Sequence, residues 1–403
     1  MHIKNTTVNE TKRFSNNLTK KDLEKALNQS ISKIDKMINK TGDTLFVDSC
    51  TKNGVYHVSD NLYFGKEKFA ENWTTGFYSG LIWLSYLYTK NEKYLKIGKK
   101  HTKTFKKRMD LYFSDQRKLV DMDHHDIGFL YLLSTKADYQ ITNDSNALDI
   151  TLKAADILMK RYIEKVGILQ AWGNLNDKNQ QGRIIVDCNL NVPLLYFAYE
   201  KTKNIKYKNA ADSHLKIANK YLIRDDDSTY HTYFMDVETG LPKYGNTHQG
   251  LADDSSWARG QAWGILGFAL AYRHNQNETY MNSAIRLATY FLNRLPKDLI
   301  CNWDLVFLDD DGQRDTSAAA IAAIGFLEIY KYNKESLYLN AAKAIAQSLI
   351  ENYMSDAYEG LIKGGVYHYS INLGVDESLV FGDYYFMELL MRLYSDEFQS
   401  FWI

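Results

Sequence analysis

The chain has 403 residues, enough to bury a large hydrophobic core in one large domain or in two ordinary ones. Lysine plus arginine and aspartate plus glutamate number 49 each, so the formal net charge is zero. Because no overall field attracts polyanions, we expect no nucleic-acid partner and no binding to an anionic membrane.

The start of the chain shows no sign of export. The first residues, MHIKNTTVNETKRFSNN, contain no apolar signal-peptide region, and no run of about 18 apolar residues follows. Cys50, Cys188 and Cys301 are widely spaced and form no CxxC pair, which suits a reducing compartment. We therefore expect a soluble cytoplasmic protein.

Six segments have the apolar spacing of amphipathic helices and carry many lysines. They cover residues 21–40, 91–109, 143–162, 204–222, 277–295 and 334–353. Several begin alike, with NEKYLKIG, NDSNALDI, NIKYKNAA, NETYMNSA and KESLYLNA. This similarity indicates an internal repeat.

Six other segments alternate with these and are apolar or small on nearly every side. They read NWTTGFYSGLIWLSYLYT, HHDIGFLYLLSTKADY, VDCNLNVPLLYFAYEKT, SSWARGQAWGILGFALAYR, RDTSAAAIAAIGFLEIYK and GDYYFMELLMRLY. A helix that is apolar all round must be enclosed, whereas an amphipathic helix buries one face, so the alternation predicts an inner ring within an outer ring.

The predicted fold is therefore an all-α (α/α)6 barrel of six helical hairpins. We expect residues 1–403 to form it as one catalytic domain, with an irregular N-terminal extension over about residues 1–20. A two-domain helical array is the alternative, because the spacing between the inner segments drifts along the chain.

Polar and aromatic side chains gather at the N-terminal ends of the inner segments, which would meet at one mouth of a barrel. They are Trp73, His125, Asp126, Asp187, Trp257, Arg259, Arg314, Asp315 and Asp383. Two carboxylates that face one cavity from different helices are the minimum for acid and base chemistry on a sugar, because one can donate a proton while the other stays ionised.

Each aspartate taken alone has a simpler explanation. Asp126 and Asp187 both precede apolar helical runs, where a carboxylate can cap the free N–H groups of a helix. For Asp187 this explanation is weaker, because the residue follows the apolar run RIIV and so lies at a buried cavity. His124 and His125 make a poor metal site, since neighbours on a helix point about 100° apart. We expect no metal and no cofactor.

Residues 230–263, YHTYFMDVETGLPKYGNTHQGLADDSSWARGQAW, form the densest polar and aromatic stretch. His231, Gln249, Trp257, Arg259 and Trp263 supply donors and stacking faces suited to a carboxylated sugar. A buried tryptophan pair with an arginine that serves loop carbonyls explains the same residues. The pattern alone leaves both interpretations open.

Eight blocks follow one another within a match that runs from about Trp73 to near Leu393. They read HHDIGFLY, QAWGNL, RIIVDCNLN, FMDVETGLP, THQGLADDSSWARGQAWG, YFLNRLPKD, RDTSAAAIA and GVDESLVFGDYYF. In order and spacing they resemble the unsaturated glucuronyl hydrolases of glycoside hydrolase family 88. The resemblance implies the same (α/α)6 barrel.

The resemblance also implies a reaction on oligosaccharides left by polysaccharide lyases, which end in a 4,5-unsaturated uronic acid. A proton is delivered to C4 and water adds at C5, giving a hemiketal that opens and releases the remaining sugar. By motif match, Asp187 in VDCNLN is the general acid and base, and Asp126 in HHDIGF positions the sugar. The residues implied in substrate binding are Trp73, His125, His231, Gln249, Trp257, Arg259, Trp263 and Tyr367.

The late loop GVYHYSINLGVDE departs from family members that are suited to sulfated disaccharides. Those relatives resemble one another in carrying Ser, Ser and Lys where this chain has His368, Ile371 and Leu373, and Arg where it has His248. Losing a cation and two hydroxyls removes charge-assisted hydrogen bonds to a sulfate. We expect a preference for unsulfated or lightly sulfated glycosaminoglycan-type substrates.

Three other functions fit parts of the sequence. They are an unsaturated rhamnogalacturonyl hydrolase, a sugar 2-epimerase on the same barrel, and a non-catalytic glycan-binding protein. The fuller match to the glucuronyl blocks argues against the first, and the acids at the mouth argue against an epimerase that relies on histidine bases. We expect the protein to act as a monomer or a homodimer.

Overall fold

The computed structural model describes residues 7–61 and 72–403 and consists mainly of helices. The helices in these ranges are α1 (Lys20–Thr41), α2 (Thr75–Thr89), α3 (Glu92–Tyr112), α4 (Ile127–Tyr131), α5 (Ala137–Thr142), α6 (Ser145–Met159), α7 (Pro193–Thr202), α8 (Ile205–Tyr221), α9 (Ala258–Asn275), α10 (Glu278–Leu292), α11 (Thr316–Asn333), α12 (Ser336–Ser348) and α13 (Val380–Tyr394). A π-helical turn, Leu132–Lys136, joins α4 to α5 into one rod. No helix within the described ranges is long and apolar enough to cross a bilayer.

Inner and outer helices alternate along the chain, as the sequence predicts. The inner helices α2, α4–α5, α7, α9, α11 and α13 each pack against the next, and α13 packs against α2, which closes the ring. The outer helices α3, α6, α8, α10 and α12 each lie across two successive inner helices, and α1 lies across α13 and α2. This closure confirms the (α/α)6 barrel and argues against an open array.

The short turns from inner to outer helices repeat one geometry. The residues that follow α2, α5, α7, α9 and α11 have a left-handed backbone, with φ from 55° to 60°, and are Lys90, Asn143, Lys203, Gln276 and Lys334. In four of these five turns the side chain of the next residue caps the outer helix, and Glu335 before α12 is the exception. Asn91 accepts a hydrogen bond from Lys93 N, and Asn277 accepts one from Thr279 N. The shared turn explains why these segments begin alike in sequence.

The longer connections, from outer to inner helices, carry short strands. They are β1 (Phe46–Lys52), β2 (Val55–Ser59), β3 (Tyr162–Ile163), β4 (Ile168–Leu169), β5 (Arg183–Ile185), β6 (Thr232–Met235), β7 (Pro242–Asn246), β8 (Gly365–His368) and β9 (Leu373–Glu377). Strands β5, β6 and β7 form an antiparallel sheet with β6 in the middle, and the others pair as hairpins. Because each connection precedes an inner helix, the strands surround the predicted mouth of the barrel.

One continuous hydrophobic core extends from Phe14 to Trp402. Trp402 stacks on Tyr385 of α13, with ring centroids 5.7 Å apart and ring planes 6° apart. Its Nε1 donates to Glu388 Oε2 at 3.0 Å. The residues after α13 therefore enter the barrel from the end opposite the mouth and help to close its floor.

Candidate active site

Asp187 lies at the mouth, in a 3-10 turn between β5 and α7. Strand β5 pairs with β6, which holds this turn against the barrel rim. Asp187 Oδ1 is buried and has no hydrogen-bond partner within the described part of the chain. Burial, together with the nearby charge of Asp126, raises the pKa of Asp187 to about 8, although Arg259 opposes the shift. The carboxyl is therefore protonated at neutral pH and has one oxygen available to a ligand.

Asp126 occupies the N-cap position of α4, but its side chain caps no helical N–H group. Its Oδ2 instead lies 3.3 Å from His124 Nδ1, and its Oδ1 lies 3.4 Å from His125 Nε2. Burial alone would raise the pKa of Asp126, but the two histidines outweigh burial and hold that pKa below its ordinary value. Asp126 thus stays ionised, and the capping hydrogen bond suggested by the sequence is not formed.

Asn191 connects the two aspartates and was not among the predicted residues. Its Oδ1 accepts from Phe129 N at 2.7 Å, and its Nδ2 lies 3.2 Å from His125 Nδ1 and 3.3 Å from the Asp187 carbonyl oxygen. Because Asn191 donates to His125 Nδ1, the proton of this histidine sits on Nε2, which faces Asp126. Burial lowers the pKa of His125 to about 4, so the ring is neutral. The only signal in the sequence was the second asparagine of VDCNLN.

Aromatic rings line the mouth, as expected for a site that receives sugar rings. Trp73 stacks on Phe381, with centroids 5.6 Å and planes 24° apart, and its Nε1 donates to Tyr367 Oη at 2.9 Å. Trp172, in the loop between β4 and β5, lies 6.4 Å from the His125 ring. Trp172 was not predicted individually, although the sequence contains it in the block QAWGNL.

His231 presents a hydrogen-bond donor to the site. Its Nδ1 accepts the backbone N–H groups of His248 and Gln249, both at 3.1 Å, so its proton sits on Nε2. That Nε2 is buried and has no partner within the described residues. Burial lowers the pKa of His231, and the ring is neutral. Gln249 itself donates to the Tyr367 carbonyl oxygen at 2.8 Å.

Arg259 is buried, and protein groups already occupy its guanidinium. It donates to Asp315 Oδ2 at 2.9 Å, to the Tyr367 carbonyl oxygen at 2.7 Å and to the Val366 carbonyl oxygen. Its charge also lies 4.4 Å from the centre of the Trp257 ring. Arg259 therefore connects α9 to β8. Of the two interpretations of this stretch, its contacts are those of an arginine that serves loop carbonyls.

Trp257 and Trp263 are both buried, at 3% and 1% exposure. The Trp263 ring packs against Phe129 and Tyr385, with centroids 5.4 Å apart in each case. Its Nε1 is buried and has no partner among the described residues. The two tryptophans form the wall behind the carboxyls, and Trp263 retains a free donor.

Three other charged residues from the predicted mouth have structural partners. Asp315 accepts from Ser317 N at 3.1 Å and caps α11. Arg314 pairs with Asp298 at 3.0 Å. Asp383 accepts hydrogen bonds from buried donors around it. These side chains hold loops at the barrel rim.

Within residues 7–61 and 72–403, no group of three or more His, Cys, Asp or Glu side chains is arranged to hold a metal ion. A cavity of about 980 Å³ lies at the opposite end of the barrel, among the C-terminal ends of the inner helices. Two of the arginines that line this cavity, Arg273 and Arg392, both pair with Glu328. The candidate active site is the mouth, where Asp187 Oδ1 and His231 Nε2 have no partner among the described residues.

Comparison with known proteins identifies the family of the chain. Residues 45–391 match Glycosyl Hydrolase Family 88. The chain is 41% identical over 388 residues to the unsaturated chondroitin disaccharide hydrolase of Streptococcus pneumoniae, covering 94% of this chain and 93% of that one.

Solved structures give the same result. The crystal structure of unsaturated glucuronyl hydrolase from Streptococcus agalactiae has a TM-score of 0.91 and 39% identity, covering 100% of this chain and 99% of that one. A mutant of that enzyme in complex with dGlcA-GalNAc6S has a TM-score of 0.84 and 37% identity over the same shares of the two chains. Sequence and fold thus agree over nearly the whole chain, which belongs to Glycosyl Hydrolase Family 88.

Proposed function

We propose that this protein is an unsaturated glucuronyl hydrolase. It hydrates the C4=C5 double bond of a terminal 4,5-unsaturated glucuronic acid on glycosaminoglycan-type oligosaccharides and so releases the remaining sugar. The observation that carries the proposal is a pair of unlike carboxyls, a protonated Asp187 with a free oxygen beside an ionised Asp126. The activity named for the relatives supports the same reaction.

Asp187 supplies the proton in this reaction. A pKa of about 8 keeps the carboxyl protonated at neutral pH and makes the carboxylate a useful base once the proton has left. The proton adds to C4 as the π bond breaks, and positive charge develops at C5 and the ring oxygen. Water then forms a C–O bond to C5 and returns a proton to Asp187, and the resulting hemiketal opens to free the next sugar.

Asp126 stays ionised through the cycle and has two tasks. Its carboxylate accepts hydrogen bonds from ring hydroxyls, which places the double bond against Asp187. Its negative charge also stabilises the positive charge that develops on the sugar. His124 and His125 hold the carboxylate in position for both tasks.

The predicted binding residues complete the proposed site around these two acids. His231 offers its free Nε2–H, and Trp73 offers a ring face already braced by Tyr367. Arg259 and Gln249 both hold the Tyr367 carbonyl oxygen and so shape the wall on which the sugar lies. The full set is Trp73, His125, His231, Gln249, Trp257, Arg259, Trp263 and Tyr367.

A preference for unsulfated or lightly sulfated substrates is part of the proposal. Ile371 on the late loop is 56% exposed and apolar, and Leu373 is apolar as well. His368 lies 3.0 Å from Ser370 Oγ through its Nε2, and burial lowers the pKa values of both His368 and His248. These four positions therefore carry no permanent positive charge for a sulfate at neutral pH.

A panel of matched unsaturated disaccharides tests both parts. The ultraviolet absorbance of the unsaturated uronate should fall when enzyme is added to the unsulfated chondroitin disaccharide, and more slowly with the 6-sulfated one. Faster cleavage of the sulfated sugar would refute the preference. Cleavage of an unsaturated rhamnogalacturonan disaccharide alone would favour the pectin-type activity, and binding without loss of absorbance would favour a glycan-binding protein.

The domain organisation, compartment and oligomeric state of the enzyme are also part of the proposal. The continuous core from Phe14 to Trp402 supports one catalytic domain. Cys50, Cys188 and Cys301 are all free thiols, which supports action in the reducing cytoplasm. We propose a monomer or a homodimer, which light scattering of the purified protein would distinguish.

A further inference from the structure

Arg183 is a charged side chain with no counter-ion among the described residues. It begins strand β5, four residues before Asp187, and is half-buried. Within the described ranges no carboxylate pairs with its guanidinium, and no hydrogen bond uses it. A partly buried arginine normally finds an anion, because removing a charge from water is costly.

Two aromatic rings hold this guanidinium in place. Its carbon lies 4.7 Å from the centre of the Trp172 ring and 4.9 Å from the centre of the Phe234 ring. Such cation–π contacts fix the position of the group, and no described residue accepts a hydrogen bond from its five N–H donors. Within the described part of the chain, the hydrogen-bonding capacity of Arg183 is therefore available to a ligand.

The same stack of rings connects the reaction centre to the rim. Trp172 lies beside His125 at the centre, and Phe234 stacks on Tyr244 with centroids 5.0 Å apart. Tyr244 is 54% exposed, so the row runs outward from the acids to solvent. Arg183 occupies the middle of that row.

We propose that Arg183 binds the carboxylate of the second uronate in an unsaturated tetrasaccharide, an inference that rests on the proposed function. The floor of the barrel is filled, so the sugars beyond the reacting one leave through the mouth, and Arg183 lies beside Trp172 at that mouth. Arg183 and Asp187 are four residues apart, so their backbones lie at most about 13 Å apart, a length comparable to two or three linked sugars. In an unsulfated glycosaminoglycan, the next negative charge along the chain is that carboxylate.

Kinetics on unsaturated hyaluronan disaccharide and tetrasaccharide test the assignment. Arg183→Met should lower kcat/KM for the tetrasaccharide about tenfold, mainly through KM, because one charge-assisted pair is lost. Its kcat/KM for the disaccharide, which lacks the second uronate, should stay within about twofold of wild type. Arg183→Lys should keep most of the tetrasaccharide activity, since it keeps the charge.

Lys201→Met is the matched control. Lys201 also lies between two aromatic rings, 4.9 Å from Tyr139 and 5.5 Å from Phe197, but in the last turn of α7, at the far end of the barrel. This variant should leave both substrates unchanged.

Several results would overturn the assignment. Equal losses on both hyaluronan substrates would make Arg183 a structural residue, and no loss on either would leave it without this role. A selective loss on the 6-sulfated chondroitin disaccharide would assign Arg183 to sulfate instead of carboxylate. Failure of the wild-type enzyme to cleave the disaccharide would overturn the proposed function itself, which separates that failure from one confined to the variants.

Discussion

Two buried aspartates at the starts of inner helices show how alike a catalytic and a structural acid can be. Asp187 precedes α7, and Asp383 lies in the first turn of α13. Burial raises both pKa values, to about 8 for Asp187 and about 7 for Asp383. Their difference lies in their partners, since Asp187 Oδ1 has none within the described chain.

Both carboxyl oxygens of Asp383, by contrast, accept hydrogen bonds from the protein. Its Oδ1 accepts from Leu361 N at 2.8 Å and Ile362 N at 3.2 Å, and its Oδ2 accepts from Tyr56 Oη at 2.9 Å. A raised pKa therefore reports burial in both places. Of these two aspartates, Asp187 is the one with an oxygen that lacks a partner in the described chain and can bind a ligand.

Both acids make stability depend on pH in the same direction. Each folded-state pKa lies above the ordinary aspartate value of 3.8, so the folded protein binds the proton more tightly than the unfolded chain. The stabilising contribution is complete below that ordinary value and is lost as the pH rises toward about 7 for Asp383 and about 8 for Asp187. The pH dependence of stability therefore does not separate the two residues.

The largest expected effect is on turnover in Asp187→Asn. We expect kcat/KM to fall about a thousandfold, because the proton donor is gone while the shape remains. Melting temperature at pH 8 should stay equal or rise, since a neutral amide replaces a carboxyl that must ionise there. Absorbance assays and thermal melts at pH 5 and pH 8 check both points. Near-wild-type activity in this variant would show that Asp187 is not the proton donor.

The next effect is on stability in Asp383→Ala. Three buried donors lose their acceptor, so we expect the free energy of unfolding to fall by about 3 kcal/mol. Turnover by the folded enzyme should stay within about tenfold of wild type, because no oxygen of Asp383 is free to act on substrate. Urea unfolding and the absorbance assay measure the two quantities.

Tyr56→Phe is the milder partner of that variant. It removes one of the three donors and should cost about 1 kcal/mol. If Asp383→Ala lost turnover as completely as Asp187→Asn while remaining folded, the division into a catalytic and a structural acid would be wrong.

The sequence predicted the ring of helices because periodicity is local. The Asn and Asp starts of the outer helices follow the same rule, since each cap involves residues two apart, as in Asn277 and Thr279. The hydrogen-bond partners of a buried acid, in contrast, can lie far away in the sequence. Asp383 is satisfied by Tyr56, 327 residues away, and no pattern around GDYYF shows that partner.

Two arginines also show that the sequence does not reveal which charged groups are paired. Arg259 stood in a motif that suggested ligand binding, yet the structure gives its donors to Asp315 and to carbonyl groups. Arg183 stood in no predicted site, although it has no counter-ion in the described chain. Whether an arginine is paired with protein groups depends on residues distant in sequence, which only the closed barrel brings together.

The smallest expected effect is a shift in the pH profile of Asp126→Asn. In the wild type, kcat/KM should fall as the pH rises through about 8, because Asp187 must be protonated to act. The charge of Asp126 helps to raise that pKa, so the neutral variant should lose its residual activity at a lower pH.

Asp123→Asn separates this coupling from any general loss of acid charge nearby. Asp123 lies in the same DMDHHD stretch but is 57% exposed and pairs with Arg117 on the surface. Water screens its charge, so the alkaline limb should stay in place in this variant. An alkaline limb that also stays in place in Asp126→Asn would show that the two carboxyls titrate independently, and Asp187 would then owe its raised pKa to burial alone.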